Sequence, residues 1–139
     1  ISLTQKKEVA DFLYQHLDQF GDDHKSIMKC IDFAMDTENK FGGFIVGSRH
    51  EGQISGAVVI NKTGMGGYIP ENILVYIAVD KKFRGQGLGK KLMQRTFDLA
   101  EGDIKLHVEP ENPARYLYEK LGFTSKYLEM RLNRQMNRR

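Results

Sequence analysis

Residues 75–89 read V-Y-I-A-V-D-K-K-F-R-G-Q-G-L-G: an apolar strand, a basic turn, a glycine-rich loop and the start of a helix. A helix start presents backbone N–H groups with no intrahelical acceptor, and the helix dipole adds partial positive charge there. Gly85, Gly87 and Gly89 let the main chain approach an anion with no side chain in the way. The junction therefore suits a phosphorylated ligand. Spacing narrows the choice. The dinucleotide fingerprint G-x-G-x-x-G fails because Gly89 comes one residue early and Lys90 holds the third glycine's place. The P-loop pattern fails at both ends, with Arg84 for its first glycine and Lys91 for its Ser or Thr.

The spacing that fits is R-x-x-G-x-G, as Arg84, Gly87 and Gly89. A second segment, residues 112–123, reads N-P-A-R-Y-L-Y-E-K-L-G-F. Together these resemble the acyl-CoA loop and the N-x-x-A-x-x-L-Y-x-x-x-G-F signature of the GNAT family of N-acetyltransferases. The second signature is matched at Asn112, Leu117, Tyr118, Gly122 and Phe123. It departs at the alanine, which stands one residue nearer the Asn, at Ala114, with Arg115 in its usual place. The two motifs follow the family's order and cover roughly the C-terminal half of the chain.

Composition bounds the rest. A chain of 139 residues predicts one domain with a real core, here 1–139, ending in a basic tail over 131–139. Net charge is +3, but the last nine residues, R-L-N-R-Q-M-N-R-R, hold four Arg and no acid. Without them the balance is 17 basic against 18 acidic, so the basicity is terminal rather than a stripe for nucleic acid. The longest apolar run, residues 73–79, has seven residues, far below the roughly 18 of a membrane span. The opening residues show no signal-peptide pattern, and the single Cys30 forms no internal disulfide, which predicts a cytoplasmic protein. Cys30 reads as a small apolar helix residue rather than a reactive thiol.

Periodicity gives the elements. Thr4 is expected to cap a helix running to His16, with Val9, Phe12, Leu13 and Leu17 on one side. A second helix is expected from Asp22 or Asp23, with Ile27, Ile31, Ala34 and Met35 as its stripe. Strands follow over 44–49 and 54–60, joined by the turn His50-Glu51-Gly52-Gln53, then a loop over 61–67. Residues 73–79 read as a strand buried on both faces. The helix after the glycine loop should run to about Ala100, with Leu88, Leu92, Met93, Thr96 and Leu99 inward. Residues 104–109 alternate as a strand, Pro113 opens a short helix ending at Gly122, and 123–132 is expected as a closing strand. The order defines a mixed α/β layer architecture. The resemblance sharpens this to the GNAT acyl-CoA N-acyltransferase fold, a mixed central sheet with splayed central parallel strands flanked by helices. That fold normally begins with a strand, and only Ile1-Ser2-Leu3 precede the first helix here.

The resemblance also implies a chemistry. Acetyl-CoA would be cosubstrate, without a metal, and a primary amine on a small molecule, peptide or protein would be the acceptor. The backbones of Ile77 and Val79 would pair with the pantetheine arm, with the Ile77 N–H directed at the acetyl oxygen. The diphosphate would rest on the amides of Arg84, Gly85, Gln86, Gly87, Leu88, Gly89 and Lys90, with the Arg84 side chain reaching phosphate oxygens. Lys81, Lys82, Lys90 and Lys91 surround that loop as a field for a polyanion. Asn112 would hold the strand–helix junction or touch the pantetheine, with a bare helix cap as the other reading. Tyr118 would be the general acid. Glu71 is the first choice for general base, with His107 and Glu109 as alternatives. A homodimer is expected by analogy only, and a non-catalytic CoA-binding sensor of the same fold is the alternative reading.

Overall fold

The first helix, α1 (Leu3–His16), begins two residues earlier than the Thr4 cap would place it. Ser2 is the N-cap: its hydroxyl accepts the Gln5 N–H at 3.1 Å, and the Gln5 side chain accepts the Ser2 N–H at 2.8 Å. The S-x-x-Q spacing satisfies two orphan donors reciprocally, whereas Lys7, three residues after Thr4, has no acceptor to return. In α2 (His24–Met35) the Asp23 carboxylate accepts the Ser26 N–H at 2.7 Å. The computed structural model describes residues 1–36, 38 and 41–134, which fall into a unit spanning Ile1–Leu106 and another from His107 onward. Residues 135–139 of the basic tail lie outside the described residues.

The first unit holds a four-stranded sheet in the order β1 (Gly43–His50), β2 (Gln53–Lys62), β3 (Asn72–Val79), β4 (Ile104–Leu106). The first three strands are antiparallel to their neighbours, and β3 and β4 are parallel. His50 pairs with Gln53 across a two-residue turn in which Glu51 and Gly52 both have positive φ, 51° and 80°. Those angles belong to the type I′ turn, whose twist matches that of the flanking strands.

Alternation along β2 divides the core. Ala57 and Val59 join Val9, Phe12 and Leu13 of α1 and Ile27, Ile31 and Ala34 of α2. Val58 and Ile60, equally buried, take the other face. There α3 (Leu88–Leu99) buries Leu92, Met93 and Thr96. Lacking a side chain, Gly56 admits this helix, since a Cβ there would lie 2.6 Å from Leu92 Cδ1.

β3 is not buried on both faces as its apolar run suggested: Asn72, Leu74, Tyr76 and Ala78 are buried, while the residues between them are half-buried. Its register against β2 slips at Val75, because Val59 pairs with Tyr76 and Ile60 with Leu74. This is a β-bulge, which bends a strand and interrupts its ladder. Beyond it β4 does not follow: the parallel pairing covers only Asn72, Leu74 and the residue between them. The strand expected over 104–109 therefore stops at Leu106 and leaves His107 and Glu109 outside it.

In the second unit, α4 (Ala114–Lys120) ends in a Schellman cap. The Phe123 N–H donates to the Tyr118 carbonyl at 3.0 Å and the Gly122 N–H to the Glu119 carbonyl at 3.1 Å, with Gly122 at φ 103°. The expected closing strand over 123–132 does not form, and Leu128, Met130 and Leu132 are exposed. Alternation makes a strand only where a ladder partner meets it, and none does so among the described residues.

Gly43 supplies a test of the frame. A Cβ built there would sit 1.9 Å from the Ile60 carbonyl oxygen, a backbone atom held in the β1–β2 ladder. Gly43→Ala should therefore destabilise the protein by about 1–3 kcal/mol in denaturant titrations. Gly52→Ala, whose Cβ meets nothing, should lose only the cost of its positive φ, about 1–2 kcal/mol. A Gly43→Ala variant as stable as the parent would refute this account of the β1–β2 contact.

Candidate active site

The open side of β3 follows from two hydrogen bonds. The Asn72 N–H points to the β4 side and donates to the Asp103 carbonyl at 3.0 Å. The Asp80 N–H points the other way and donates to the Ser55 carbonyl at 2.9 Å, on the β2 side. Strand alternation from Asp80 turns the main-chain groups of Ala78 and Tyr76 toward β2, and those of Ile77 and Val79 away from it. Without the bulge at Val75, Ile77 and Val79 would face β2. Because β4 ends opposite Leu74, the Ile77 and Val79 N–H groups and the Ile77 carbonyl have no main-chain partner among the described residues. An unpaired strand edge of this kind binds an extended, amide-bearing ligand as an added strand.

The chain leaving β3 builds the second half of the site. Asp80 accepts the Lys82 N–H at 2.9 Å and caps a 3₁₀ turn, Lys81–Phe83. Gly85 and Gly87 then take φ values of 78° and 82°, where L side chains are strained, and a Cβ on either would meet nothing within 4 Å. Backbone conformation thus demands these two glycines, while the space beside them is open. The first intrahelical bond of α3 joins the Lys91 N–H to the Gly87 carbonyl at 3.1 Å. The N–H groups of residues 85–90 consequently find no acceptor among the described residues. Gly89 lies in the first turn of α3, Leu88 is half-buried, and Lys90 and Lys91 are exposed. Lys82 is exposed as well, and the Gln86 side chain folds back onto its carbonyl at 3.3 Å.

Arg84 behaves differently from its sequence expectation. Its guanidinium turns back rather than outward: Nε donates to the Val79 carbonyl at 3.0 Å, Nη2 to the His16 carbonyl at 2.7 Å and Nη1 to Asp18 Oδ2 at 3.2 Å. The other Asp18 oxygen holds the Lys81 ammonium at 3.2 Å. These donors, Lys81 first, hold the Asp18 carboxyl below its usual range. Asp18 was not legible as part of the site; it sits at φ 55°, unusual for a residue with a Cβ.

Glu71 is committed too. Its Oε1 accepts the Asp103 N–H at 2.8 Å, and that bond chiefly lowers its pKa. Gly102 makes room for it, since a Cβ there would lie 2.5 Å from the carboxyl carbon. This arrangement suits a tether between the starts of β3 and β4 better than a base that must take a proton. In the second unit, the Asn112 side chain accepts the Ala114 N–H at 2.9 Å and so holds the start of α4. The Tyr118 ring is buried and packs edge-on to Phe123 with centroids 6.0 Å apart, a contact the Schellman cap enforces. Its hydroxyl makes no hydrogen bond among the described residues, and burial pushes the phenol up to about 12. His107 and Glu109 are exposed. Cys30 is half-buried, accepts an Asn61 side-chain N–H at 3.5 Å, and is pushed up to about 11 by burial.

The chain belongs to the GNAT acetyltransferase family: the model of the "Acetyltransferase (GNAT) domain" matches residues 40–125. A curated relative, the "5-NmdU N-acetyltransferase" of Pseudomonas phage PaMx11, is 36% identical over 84 residues, 59% of this chain. The match spans 58% of that relative's length. The ribosomal-protein-alanine N-acetyltransferase of Brucella melitensis biovar Abortus 2308 has the same fold. Its TM-score is 0.67 at 19% identity, covering 96% of this chain and 94% of that one. An aminoglycoside acetyltransferase from an uncultured soil metagenomic sample aligns over 95% of this chain and 91% of its own, with TM-score 0.68 and 16% identity. Among the described residues no helix is long and apolar enough to cross a membrane, and no cluster of ligating side chains could hold a metal ion.

The lowered Glu71 pKa sets a pH test. A depressed carboxyl stabilises the fold above its unfolded value, about 4.3, and loses that contribution as pH falls through the lower folded value. Glu71→Gln should therefore melt below the parent at pH 7, and the gap should close below about pH 4. A gap that stays constant across that range would show that the carboxylate charge does not hold Asp103.

Proposed function

We propose that this chain is an N-acetyltransferase that moves the acetyl group of acetyl-CoA to a primary amine by direct attack in a ternary complex. The observation that carries the reading is the run of unbonded amides at residues 85–90, directly after a strand whose outward groups at Ile77 and Val79 are also unpaired. The first set suits a diphosphate and the second an amide-bearing arm, and coenzyme A joins those two chemistries in one molecule. Family membership and the printed activities of the relatives support the same class of reaction.

Acetyl-CoA supplies an activated acetyl thioester, and the protein's part is to hold and polarise it. The Ile77 N–H, with no acceptor among the described residues, is the donor for the acetyl oxygen as that oxygen gains charge, a role worth about 2.7–4 kcal/mol in a dry site. Lys82, Lys90 and Lys91 contribute a positive field around the amide cradle. Tyr118 is assigned the acid role from its place in the second signature. With the phenol pushed up to about 12 and a simple thiol near 8.5, complete proton transfer to the departing sulfur is uphill. Tyr118 then acts mainly as a hydrogen-bond donor to the growing thiolate.

Glu71 is a weak candidate for base because its carboxylate is already engaged. An acceptor amine that loses its proton to water fits this site better than one served by Glu71. Cys30 has no part in transfer, since a thiol at about 11 is almost wholly protonated at neutral pH. The acceptor is a primary amine; the alanine, aminoglycoside and 5-NmdU named for the similar proteins show how widely acceptors differ on this frame.

Titration calorimetry with CoA, and thiol release from acetyl-CoA across a panel of amines, test the reading. Binding without turnover on any amine would favour the sensor alternative, and absence of CoA binding would remove the proposal. Tyr118→Phe should lower turnover about 10- to 100-fold, the low end of general-acid effects, with CoA affinity within about two-fold. With so high a phenol pKa, turnover in the parent should show no fall assignable to Tyr118 below about pH 10.

A further inference from the structure

We propose that Arg84 is a positioning residue that fixes the register of the ligand arm on β3, not a ligand of the diphosphate; this rests on the reading of residues 85–90 as a CoA cradle. The guanidinium is a planar fork, and here its three nitrogens each bond a different acceptor: Val79 O, His16 O and Asp18 Oδ2. Turning outward to a phosphate would forfeit all three. The His16 carbonyl belongs to the last turn of α1, where helix carbonyls have no intrahelical donor, so Arg84 also caps that helix. Asp18 completes the arrangement by bridging Lys81, the first residue of the 3₁₀ turn, and Arg84, the residue just after it. Its left-handed backbone, at φ 55°, is the kind of local strain that persists where surrounding contacts over-determine it.

The consequence lies at Val79. Its carbonyl faces the open side of β3 and would otherwise accept from an incoming amide N–H. With Arg84 Nε on it, that acceptor is withheld, and the free outward groups of β3 are the N–H and C=O of Ile77 and the N–H of Val79. An added strand can slip along its partner by two residues, about 6.7 Å, without changing its hydrogen-bonding side. Occupying the Val79 carbonyl removes the register one step nearer the glycine loop. The arm then stops with its reactive end at Ile77. Arg84 acts on the reaction through Val79 and touches no reacting atom.

The test compares Arg84→Met, Arg84→Lys, Asp18→Asn and the double variant Asp18→Asn/Arg84→Met, reading CoA affinity by calorimetry, turnover with acetyl-CoA, and melting temperature. A positioning fork predicts that Lys, with one point of charge, fails to rescue. Both Arg84 substitutions should lose turnover by about ten-fold or more, with a smaller loss in CoA affinity. Asp18→Asn should shift turnover in the same direction, and the double variant should be no worse than Arg84→Met alone. A phosphate ligand predicts the opposite: CoA affinity falls with Met, Lys restores most of it, and Asp18→Asn changes nothing. That pattern would overturn the proposal. If the parent binds no CoA, the functional reading fails, while non-additive melting temperatures in the Asp18/Arg84 cycle still report whether the clamp exists. Additive ones would remove it.

Discussion

A main-chain N–H or C=O group that leaves one partner must find another, and the bulge at Val75 breaks that rule on one side of β3. Up to Leu74 the strand is flanked by β2 and β4. After the slip its outward groups meet no strand among the described residues. Nearly everything that makes the site follows from this. β4 is cut to three residues, the Ile77 and Val79 amides are left open, and the chain runs straight into a capped 3₁₀ turn and the two left-handed glycines. The open edge leaves the Ile77 N–H and C=O and the Val79 N–H without a main-chain partner among the described residues. On the proposed reading, a ligand carrying amides in the right places would pair with those groups as an added strand.

The helices and the hairpin were legible because their signals are local. Apolar spacing fixed α1, α2 and α3, Asp23 was one of the two expected starts of α2 and is its N-cap, and Glu51-Gly52 gave the turn. The glycine loop was legible for the same reason: positive φ at Gly85 and Gly87 is written in the residues. Features that depend on partners were not. A β-bulge needs no special residue, so Val75 looked like any strand valine. The run over 73–79 was apolar enough for burial on both faces, yet one row of its side chains is only half-covered. Leu128, Met130 and Leu132 alternate as a strand would, with no ladder to join among the described residues. Ser2 displaced Thr4 as cap because a reciprocal box outcompetes a lone hydroxyl.

Candidate side chains divide along the same line. Tyr118 was singled out by its signature, and the structure gives a physical reason for the spacing: five residues on, Phe123 closes a Schellman cap and packs against the Tyr118 ring, with Gly122 supplying the positive φ that the cap uses. Glu71 and Arg84 were chosen for chemistry that their residue types allow, while Asn112 was expected to hold the strand–helix junction or touch the ligand, and it holds the start of α4. Each proves to be bonded already, to Asp103, to Val79 with His16 and Asp18, and to Ala114. A polar side chain beside a site is as often its scaffolding as its reagent, and sequence does not distinguish the two.

The chain carries a single sulfhydryl, and it sits half-covered on α2 in its protonated form. A colorimetric thiol reagent would therefore react far faster with a small free thiol in solution than with this polypeptide. A second cysteine introduced at an exposed surface position could take a fluorophore selectively, giving an optical handle on the molecule without first removing the native one.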